Sequence, residues 1–139
     1  MRSDCPLNFG LELFGDKWTL LIIRDLMFFN KHSYNEFLTS AEGISTNILA
    51  DRLVMLEREH FIRREKDKEH KQKVIYRLTE KGIDLLPVII SIGLWSDKYA
   101  ADSLTPVRGV ILGNVREDYS KGIEQIKKKL HAEHLNSCL

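Results

Sequence analysis

The sequence predicts a mainly α-helical fold that carries one small β-hairpin. Apolar residues recur at helical spacing along much of the 139-residue chain, and a glycine-centred turn separates two of the helical segments. Two short β-type segments flank a stretch made entirely of charged and polar side chains. A chain of this length can bury a hydrophobic core without cross-links. We expect residues 1–99 to form one domain and residues 100–139 a helical extension.

Two helices are predicted at the N-terminus. Leu7, Leu11 and Phe14 follow helical spacing, and Gly15 ends this first segment. Asp16 is placed to cap the second segment. The apolar stripe of the second helix is expected in the core and consists of Trp18, Leu21, Ile22 and Leu26.

The next two helices meet at a short turn. Residues 33–41 can form the first of them, since Ser33 is a good cap and Glu36 stands at the capping-box spacing. Residues 42–44 form the turn, and residues 45–59 form the second helix. At 100° per residue this helix turns one apolar arc inward, made of Ile48, Leu49, Leu53 and Leu56. The opposite arc is expected to face solvent and holds Thr46, Asn47, Ala50, Asp51, Val54 and Arg58.

The predicted hairpin pairs residues 61–65 with residues 74–78. Residues 66–73 between these strands include no apolar side chain, so the tip must project into solvent. Residues 58–81 carry nine Lys or Arg against five Asp or Glu, a local charge of +4 on a chain of net charge +1. A basic patch on a near-neutral chain is typical of a protein that meets nucleic-acid phosphates with one edge. A solvated charged hairpin would have the same composition.

The order helix, turn, helix, hairpin is that of a winged helix-turn-helix, in which the second helix enters the major groove of double-stranded DNA. Residues 45–58 are then the recognition helix, and the wing tip, residues 66–73, reaches the flanking backbone or the minor groove. The side chains expected to contact DNA are Ser33, Tyr34, Ser45, Thr46, Asn47, Asp51, Arg52, Lys66, Lys68, Lys71, Lys73 and Arg77. Arg52 falls on the inner arc of its helix, between Ile48 and Leu56, so a packed side chain bonded to the backbone or to a carboxylate is the alternative to a DNA contact.

Thr79 is expected to start a further helix that is apolar almost all round. Nine of the thirteen residues from 83 to 95 are apolar. Such a helix needs cover on every side, which predicts burial against a partner chain. Pro87 lies inside this segment and should bend it.

The C-terminal part of the chain is predicted to be helical as well. Thr105-Pro106 is typical of a helix start. A later amphipathic helix is predicted from the spacing of Val115, Tyr119, Ile123, Ile126 and Leu130. Its polar side carries the three consecutive lysines 127–129, either as a solvated face or as a second DNA contact.

Taken together, the segments from Cys5 to about Tyr99 resemble the HxlR family of bacterial and archaeal winged helix-turn-helix transcription regulators, relatives of the MarR type. The matching motifs are Cys5-Pro6, Gly15-x-Lys17-Trp18, Leu21-Ile22-Ile23-Arg24-x-Leu26, Tyr34-x-Glu36-Phe37, Gly43-Ile44-Ser45, Leu49-x-x-Arg52-Leu53-x-x-Leu56 and Tyr76-x-Leu78-Thr79-Glu80-Lys81-Gly82. The resemblance implies a homodimeric DNA-binding transcription factor. Its N-terminal helix and the long helix after the wing would form the dimer interface. The helix from Val115 onward lies outside the resemblance, and its periodicity alone predicts that the C-terminal extension packs on the dimer. The residues expected in that interface are Leu7, Leu11, Leu86, Ile90, Leu94, Trp95 and Tyr99.

Three positions depart from the family pattern. Members often carry Lys where this chain has Asn47, Thr where it has Ala50 and Arg where it has Ser33. The smaller number of fixed charges indicates a different operator or weaker binding.

The Cys5-Pro6 motif carries a further expectation from the family. In some relatives this cysteine senses oxidants, quinones or aldehydes, which would make an oxidant or a small molecule the effector here. An inert residue at the start of a helix is the alternative. Cys138 is a candidate resolving partner across the dimer.

The composition argues against other classes of protein. No hydrophobic run reaches membrane-spanning length, no signal-peptide pattern opens the chain, and two distant cysteines do not form a disulfide scaffold. A cytoplasmic protein without a membrane partner is therefore expected. The sequence contains no phosphate loop and no nucleophile elbow, so neither an enzyme nor a cofactor is expected. His131 and His134 are expected as surface residues rather than metal ligands. A winged-helix module that binds another protein and no DNA is the remaining alternative.

Overall fold

A computed structural model describes residues 2–100 and 107–136. The chain divides into two compact units, one of residues up to 59 together with 64–76, the other of residues 60–63 together with those from 77 onward. The described residues are mostly helical and contain one two-stranded sheet. The elements are α1 (Pro6–Phe14), α2 (Thr19–Phe28), α3 (Tyr34–Phe37), α4 (Thr46–Arg58), β1 (Ile62–Lys66), β2 (Val74–Leu78), α5 (Glu80–Ile83), α6 (Leu86–Tyr99), α7 (Arg108–Leu112), α8 (Tyr119–Leu130) and a π-helical turn (His131–Leu135).

The two N-terminal helices form where predicted. Of the apolar stripe expected in the core, Ile22 and Leu26 are buried, whereas Trp18 and Leu21 are only half-buried. Pro6 occupies the first turn of α1, where its fixed φ suits a helix and its missing N–H is not needed. Gly15 ends α1, and its N–H donates to the carbonyl of Leu11 at 2.8 Å. The Asp16 carboxylate accepts the N–H groups of Trp18 and Thr19 at 2.9 and 3.0 Å, so it caps α2 although that helix begins only at Thr19.

The third helix is much shorter than predicted. Ser33 caps it as expected, but α3 ends at Phe37 rather than continuing to residue 41. The hydroxyl of Thr39 donates to the carbonyl of Glu36 at 2.7 Å, and the N–H of the same threonine bonds this carbonyl at 3.1 Å. These local bonds compete with the helical pattern and turn the chain into a series of tight turns. One of those turns contains Gly43, whose φ of 72° lies in the left-handed region that glycine adopts at little cost.

Both α4 and the hairpin follow the prediction closely. Ser45 caps α4, and its Oγ accepts the N–H of Ile48 at 3.3 Å. β2 has the predicted bounds, whereas β1 lies one residue later than expected. The N–H of Thr79 donates to the carbonyl of Phe61, and that of Asp67 to the carbonyl of Lys73. These two bonds set an antiparallel register in which position 61 faces 79 and position 67 faces 73.

The helix after the hairpin is broken, which corrects the prediction of one long helix bent at Pro87. Thr79 caps the four-residue α5, and α6 begins separately at Leu86. Pro87 therefore stands in the first turn of α6, where it removes no helical hydrogen bond. α6 contacts both α7 and α8, and α5 contacts the π-helical turn.

The last long helix starts later than its apolar pattern indicates. Asp118 caps α8, and its Oδ1 accepts the N–H of Lys121 at 3.0 Å. Val115 precedes the helix and is buried. The expected helix start at Thr105-Pro106 lies outside the described residues. Across the described ranges, none of the helices combines the length and the apolar character that a membrane crossing needs.

Candidate nucleic-acid interface

α4 presents two faces, and both match the arcs predicted from its sequence. Its inward side chains Leu49, Leu53 and Leu56 are buried. Every residue of the opposite arc is exposed: Thr46, Asn47, Ala50, Asp51, Val54 and Arg58. In the first two turns the outer face therefore exposes the Thr46 hydroxyl, the Asn47 amide and the Asp51 carboxylate. The apolar side chain of Val54 is exposed beyond them.

α3 lies against the start of α4 and holds it. The Tyr34 hydroxyl donates to the carbonyl of Thr46, the first residue of α4, at 3.1 Å. Ser33 is only 4% exposed, and its Oγ donates to Glu36 at 2.8 Å. This buried capping position corrects the expectation that the Ser33 side chain lies on the DNA-facing surface.

The Arg52 side chain is bonded to carboxylates, which is the alternative to a DNA contact that the sequence left open. Its Nε donates to Asp16 Oδ2 at 3.0 Å and its Nη1 to Asp51 Oδ2 at 2.8 Å. Arg52 therefore ties α4 to the cap of α2 and offsets the charge of Asp51 on the outer face. Partial burial raises the pKa of Asp16, but the bonds from Thr19 and Trp18 and the charge of Arg52 outweigh it, so that the pKa of this carboxyl is lowered.

A buried arginine pins the turn that precedes α4. Arg24 in α2 is 9% exposed, and its Nη1 and Nη2 donate to the two carboxylate oxygens of Glu42 at 2.7 and 2.9 Å. The same guanidinium bonds Asp25, whose other oxygen accepts the Ser40 hydroxyl. The hydrogen bonds from Arg24 lower the pKa of Glu42. No role was expected for Arg24, and the available signal was the charged pair Arg24-Asp25 inside a largely apolar helix.

The wing tip lies in the same compact unit as α4. Its four lysines are all exposed: Lys66, Lys68, Lys71 and Lys73. Next to the tip, Arg64 of β1 pairs with Glu57 at 2.6 Å, which links the hairpin to α4. Arg77 on β2 is half-buried rather than free on the surface. The exposed outer face of α4 and the basic tip therefore stand on one unit, joined by an ion pair.

Two helices expose apolar surface outside this interface. α1 has no buried residue, and Leu7, Phe9 and Leu11 are 69, 53 and 46% exposed. On α6, Trp95 and Tyr99 are each 67% exposed, and their ring centroids lie 5.3 Å apart.

The other predicted interface residues of α6 are placed differently. Leu86 and Ile90 are fully buried within the single chain, and Leu94 is half-buried. Leu86 and Ile90 thus belong to the protein's own core, which corrects their expected place at a dimer interface. The large apolar side chains that α6 leaves exposed are Ile92, Trp95 and Tyr99.

The cysteines and histidines considered for redox sensing or metal binding lie in different environments. Cys5 is exposed just before α1, where the N–H groups of Asn8 and Leu7 lower the pKa of its thiol. Cys138 lies outside the described residues. His134 is fully buried, which corrects its expected surface position, and His131 lies 3.2 Å from a carboxylate oxygen of Glu80. Among the described residues, no cluster of three or more potential ligands is arranged to hold a metal ion.

Sequence comparison places these features in a known group. Residues 13–103 match the family described as HxlR-like helix-turn-helix. The chain is 37% identical over 97 residues to the HTH-type transcriptional regulator YdeP of Bacillus subtilis, covering 70% of this chain and 75% of YdeP. YodB, an HTH-type transcriptional regulator of the same organism, is 36% identical over 99 residues, covering 70% of this chain and 88% of YodB.

Solved structures resemble the chain in fold. PA1607 superposes with a TM-score of 0.64 at 33% identity, over 71% of this chain and 68% of PA1607. The reduced form of YodB gives a TM-score of 0.58 at 32% identity, over 73% of this chain and 99% of YodB. YodB bound to a quinone gives a TM-score of 0.54 at 33% identity, over 68% of this chain and 100% of YodB.

Proposed function

The chain belongs to the HxlR-like helix-turn-helix family of transcriptional regulators, and from this premise we propose that it is a sequence-specific, homodimeric, DNA-binding transcription regulator. The observation that carries the proposal is the joint exposure of the outer face of α4 and the lysine-rich wing tip on one compact unit. α4 has the length and polarity of a helix that fits a major groove. It acts as the recognition helix, over residues 45–58.

Base reading falls to the exposed polar residues near the start of α4. An Asn side chain can bond adenine N6 and N7 together, and an Asp can accept a hydrogen bond from cytosine N4. Asn47 and Asp51 have these groups, and both are exposed. Ser45 and Thr46, at the start of α4, supply hydroxyls and backbone N–H groups for phosphates, as helix N-termini do. Tyr34 stands next to them through its bond to Thr46.

The wing supplies charge rather than sequence selection. Lys66, Lys68, Lys71 and Lys73 neutralise phosphates of the flanking backbone or beside the minor groove. Arg77 is half-buried on β2, so we assign it a secondary contact. Arg52 acts indirectly, because Asp16 and Asp51 already occupy its guanidinium.

A second copy of the chain covers the exposed apolar faces of α1 and α6. Monomeric proteins rarely leave rows of large apolar side chains in water, and both helices do so. Residues 1–99 form the DNA-binding and dimerising domain, and residues 100–139 form an extension that packs on the dimer. The two recognition helices then read half-sites about 34–36 Å apart on a pseudo-palindrome. The protein acts in the cytoplasm.

Cys5 is the proposed point of control. Its exposure and the lowered pKa of its thiol are what a reaction with an oxidant or an electrophile needs. The related YodB has been solved with a quinone bound. Modification of Cys5, or a ligand at the dimer interface, changes DNA affinity only if it favours one of two arrangements of the dimer.

Gel-shift titration at several salt concentrations tests the proposal. If six to eight Lys or Arg side chains per dimer meet phosphate, log affinity falls against log salt with a slope of roughly −5 to −7. Asn47→Ala should relax base preference while leaving that slope unchanged, and Lys71→Glu should reduce the slope. Lys121→Glu on α8 reverses the charge of an exposed lysine to which no DNA contact is assigned, and it serves as the control. A flat salt response would reject DNA binding and favour a winged-helix module that binds another protein.

A further inference from the structure

The π-helical turn after α8 reaches the base of the wing. His134 in the π-helical turn is fully buried, and its Nδ1 accepts the N–H of Leu78 in β2 at 3.0 Å. The carbonyl of His134 accepts a hydrogen bond from the guanidinium of Arg63 in β1. One residue therefore binds both strands. It also lies beyond residues 13–103, which match the family.

Leu78 needs a partner of this kind because of the register of the hairpin. The bond from the N–H of Thr79 to the carbonyl of Phe61 shows which residues of β2 point their N–H groups at β1. The N–H of Leu78, one residue earlier, points away from β1. Leu78 is fully buried, so water cannot satisfy that donor, and an unpaired buried N–H costs about 1–3 kcal/mol.

The segment that carries His134 is itself held in place. His131 lies 3.2 Å from Glu80 of α5, and Lys127 of α8 lies 3.4 Å from Asp84. Leu130, one turn before His134, is fully buried. As an acceptor, Nδ1 carries no hydrogen, so the ring hydrogen sits on Nε2, which lies 4.0 Å from a carboxylate oxygen of Glu133.

We propose that His134 is a positioning residue for the wing: its imidazole takes the place of a neighbouring strand at the base of β2 and keeps the hairpin ordered for DNA contact. The part that concerns DNA rests on the proposed function. The C-terminal helix is then a component of the DNA-binding apparatus. Without the His134 bond the base of the hairpin frays, and the tip lysines lose their fixed place along the DNA backbone.

Amide hydrogen exchange in the DNA-free protein tests the contact itself. In His134→Leu the Leu78 amide should exchange about tenfold faster than in the wild type, the change expected for loss of one hydrogen bond. His134→Asn keeps an acceptor at the Nδ1 position and should restore slow exchange. Lys128→Ala, at an exposed position of α8, is the control and should leave Leu78 slow. Unchanged exchange in His134→Leu would overturn the inference.

A double-mutant cycle tests the consequence for DNA. Lys71→Glu weakens binding in the wild type, and the same change should cost much less affinity in His134→Leu, where the tip is no longer held. His134→Asn should recover the full effect of Lys71→Glu, which a general loss of stability would not do. Should His134→Leu fail to fold, His134→Gln replaces it, because its acceptor is displaced from the Nδ1 position.

The two measurements separate this inference from the proposed function. An undiminished Lys71→Glu effect in His134→Leu overturns the role of His134 at the wing, even where the wild type binds DNA. A wild type that binds no DNA rejects the proposed function and with it the DNA part of the inference. In that case the exchange of Leu78 still decides whether His134 orders the hairpin.

Discussion

Arg24 and Glu42 form a two-bond ion pair that joins α2 to the turn before α4, with distances of 2.7 and 2.9 Å. The guanidinium is almost fully buried, while the Glu42 side chain keeps 38% of its surface exposed. The next residue, Gly43, has a φ of 72°. The pair therefore fixes the chain where it must change direction to start α4.

Replacing Glu42 with Gln should destabilise the protein at neutral pH by about 1–2 kcal/mol, a modest figure because the carboxylate is partly solvated. The pKa of Glu42 is lowered by Arg24 from an ordinary value of 4.5. Its contribution is therefore present above pH 4.5 and is lost as the pH falls through the lower value of the folded state. Urea unfolding of wild type and Glu42→Gln should show a difference at pH 7 that shrinks below pH 4.5. Glu69→Gln in the exposed wing tip is the control, and an equal loss there would contradict the prediction.

Arg52→Met should weaken DNA binding more than it weakens folding. The pairs that Arg52 makes with Asp16 and Asp51 are partly exposed, so the loss of stability is about 0.5–1.5 kcal/mol. The variant also removes the positive charge beside Asp51 on the face that is proposed to meet DNA. Adding Asp51→Asn should restore part of the affinity measured by gel shift. A double variant as weak as Arg52→Met would show that repulsion by Asp51 is not the cause.

Trp95→Glu should shift the protein from dimer to monomer, because it places a charge in apolar surface that a second copy is proposed to cover. Leu7→Glu should do the same on α1. Sedimentation equilibrium measures the mass directly. Val74 on β2 is 38% exposed and lies on neither helix, so Val74→Glu is the matched control. A wild type that sediments as a monomer would contradict the proposed interface. So would a Trp95→Glu variant whose dimer dissociation constant equals that of the wild type.

Cys5 should react with electrophiles faster than a free cysteine at neutral pH, because its thiol has a lowered pKa and is exposed. The rate of labelling by a thiol reagent, compared with a short peptide of the same sequence, measures this. Oxidant should then change DNA affinity in the wild type and in Cys138→Ser, but not in Cys5→Ser. An unchanged oxidant response in Cys5→Ser would assign Cys5 a structural role only.

Local sequence physics was enough to obtain the order of the elements and the two faces of α4. Ser33, Ser45 and Thr79 cap helices where capping preference predicts, and β2 has its predicted bounds. These features depend on side chains within a few residues of one another, so periodicity and capping chemistry suffice to predict them. The family motifs then allowed the function, transcription regulation, to be predicted from this fold.

Tertiary structure decided which surfaces cover one another. Arg24 meets Glu42 across 18 residues, and His134 meets Leu78 across 56, and neither pairing has a local signal. The same limit explains Leu86 and Ile90: their pattern shows that they need cover, but only the folded chain shows that its own core supplies it. Periodicity reports that a face is buried. The identity of its partner depends on segments distant in sequence, which come together only when the protein folds.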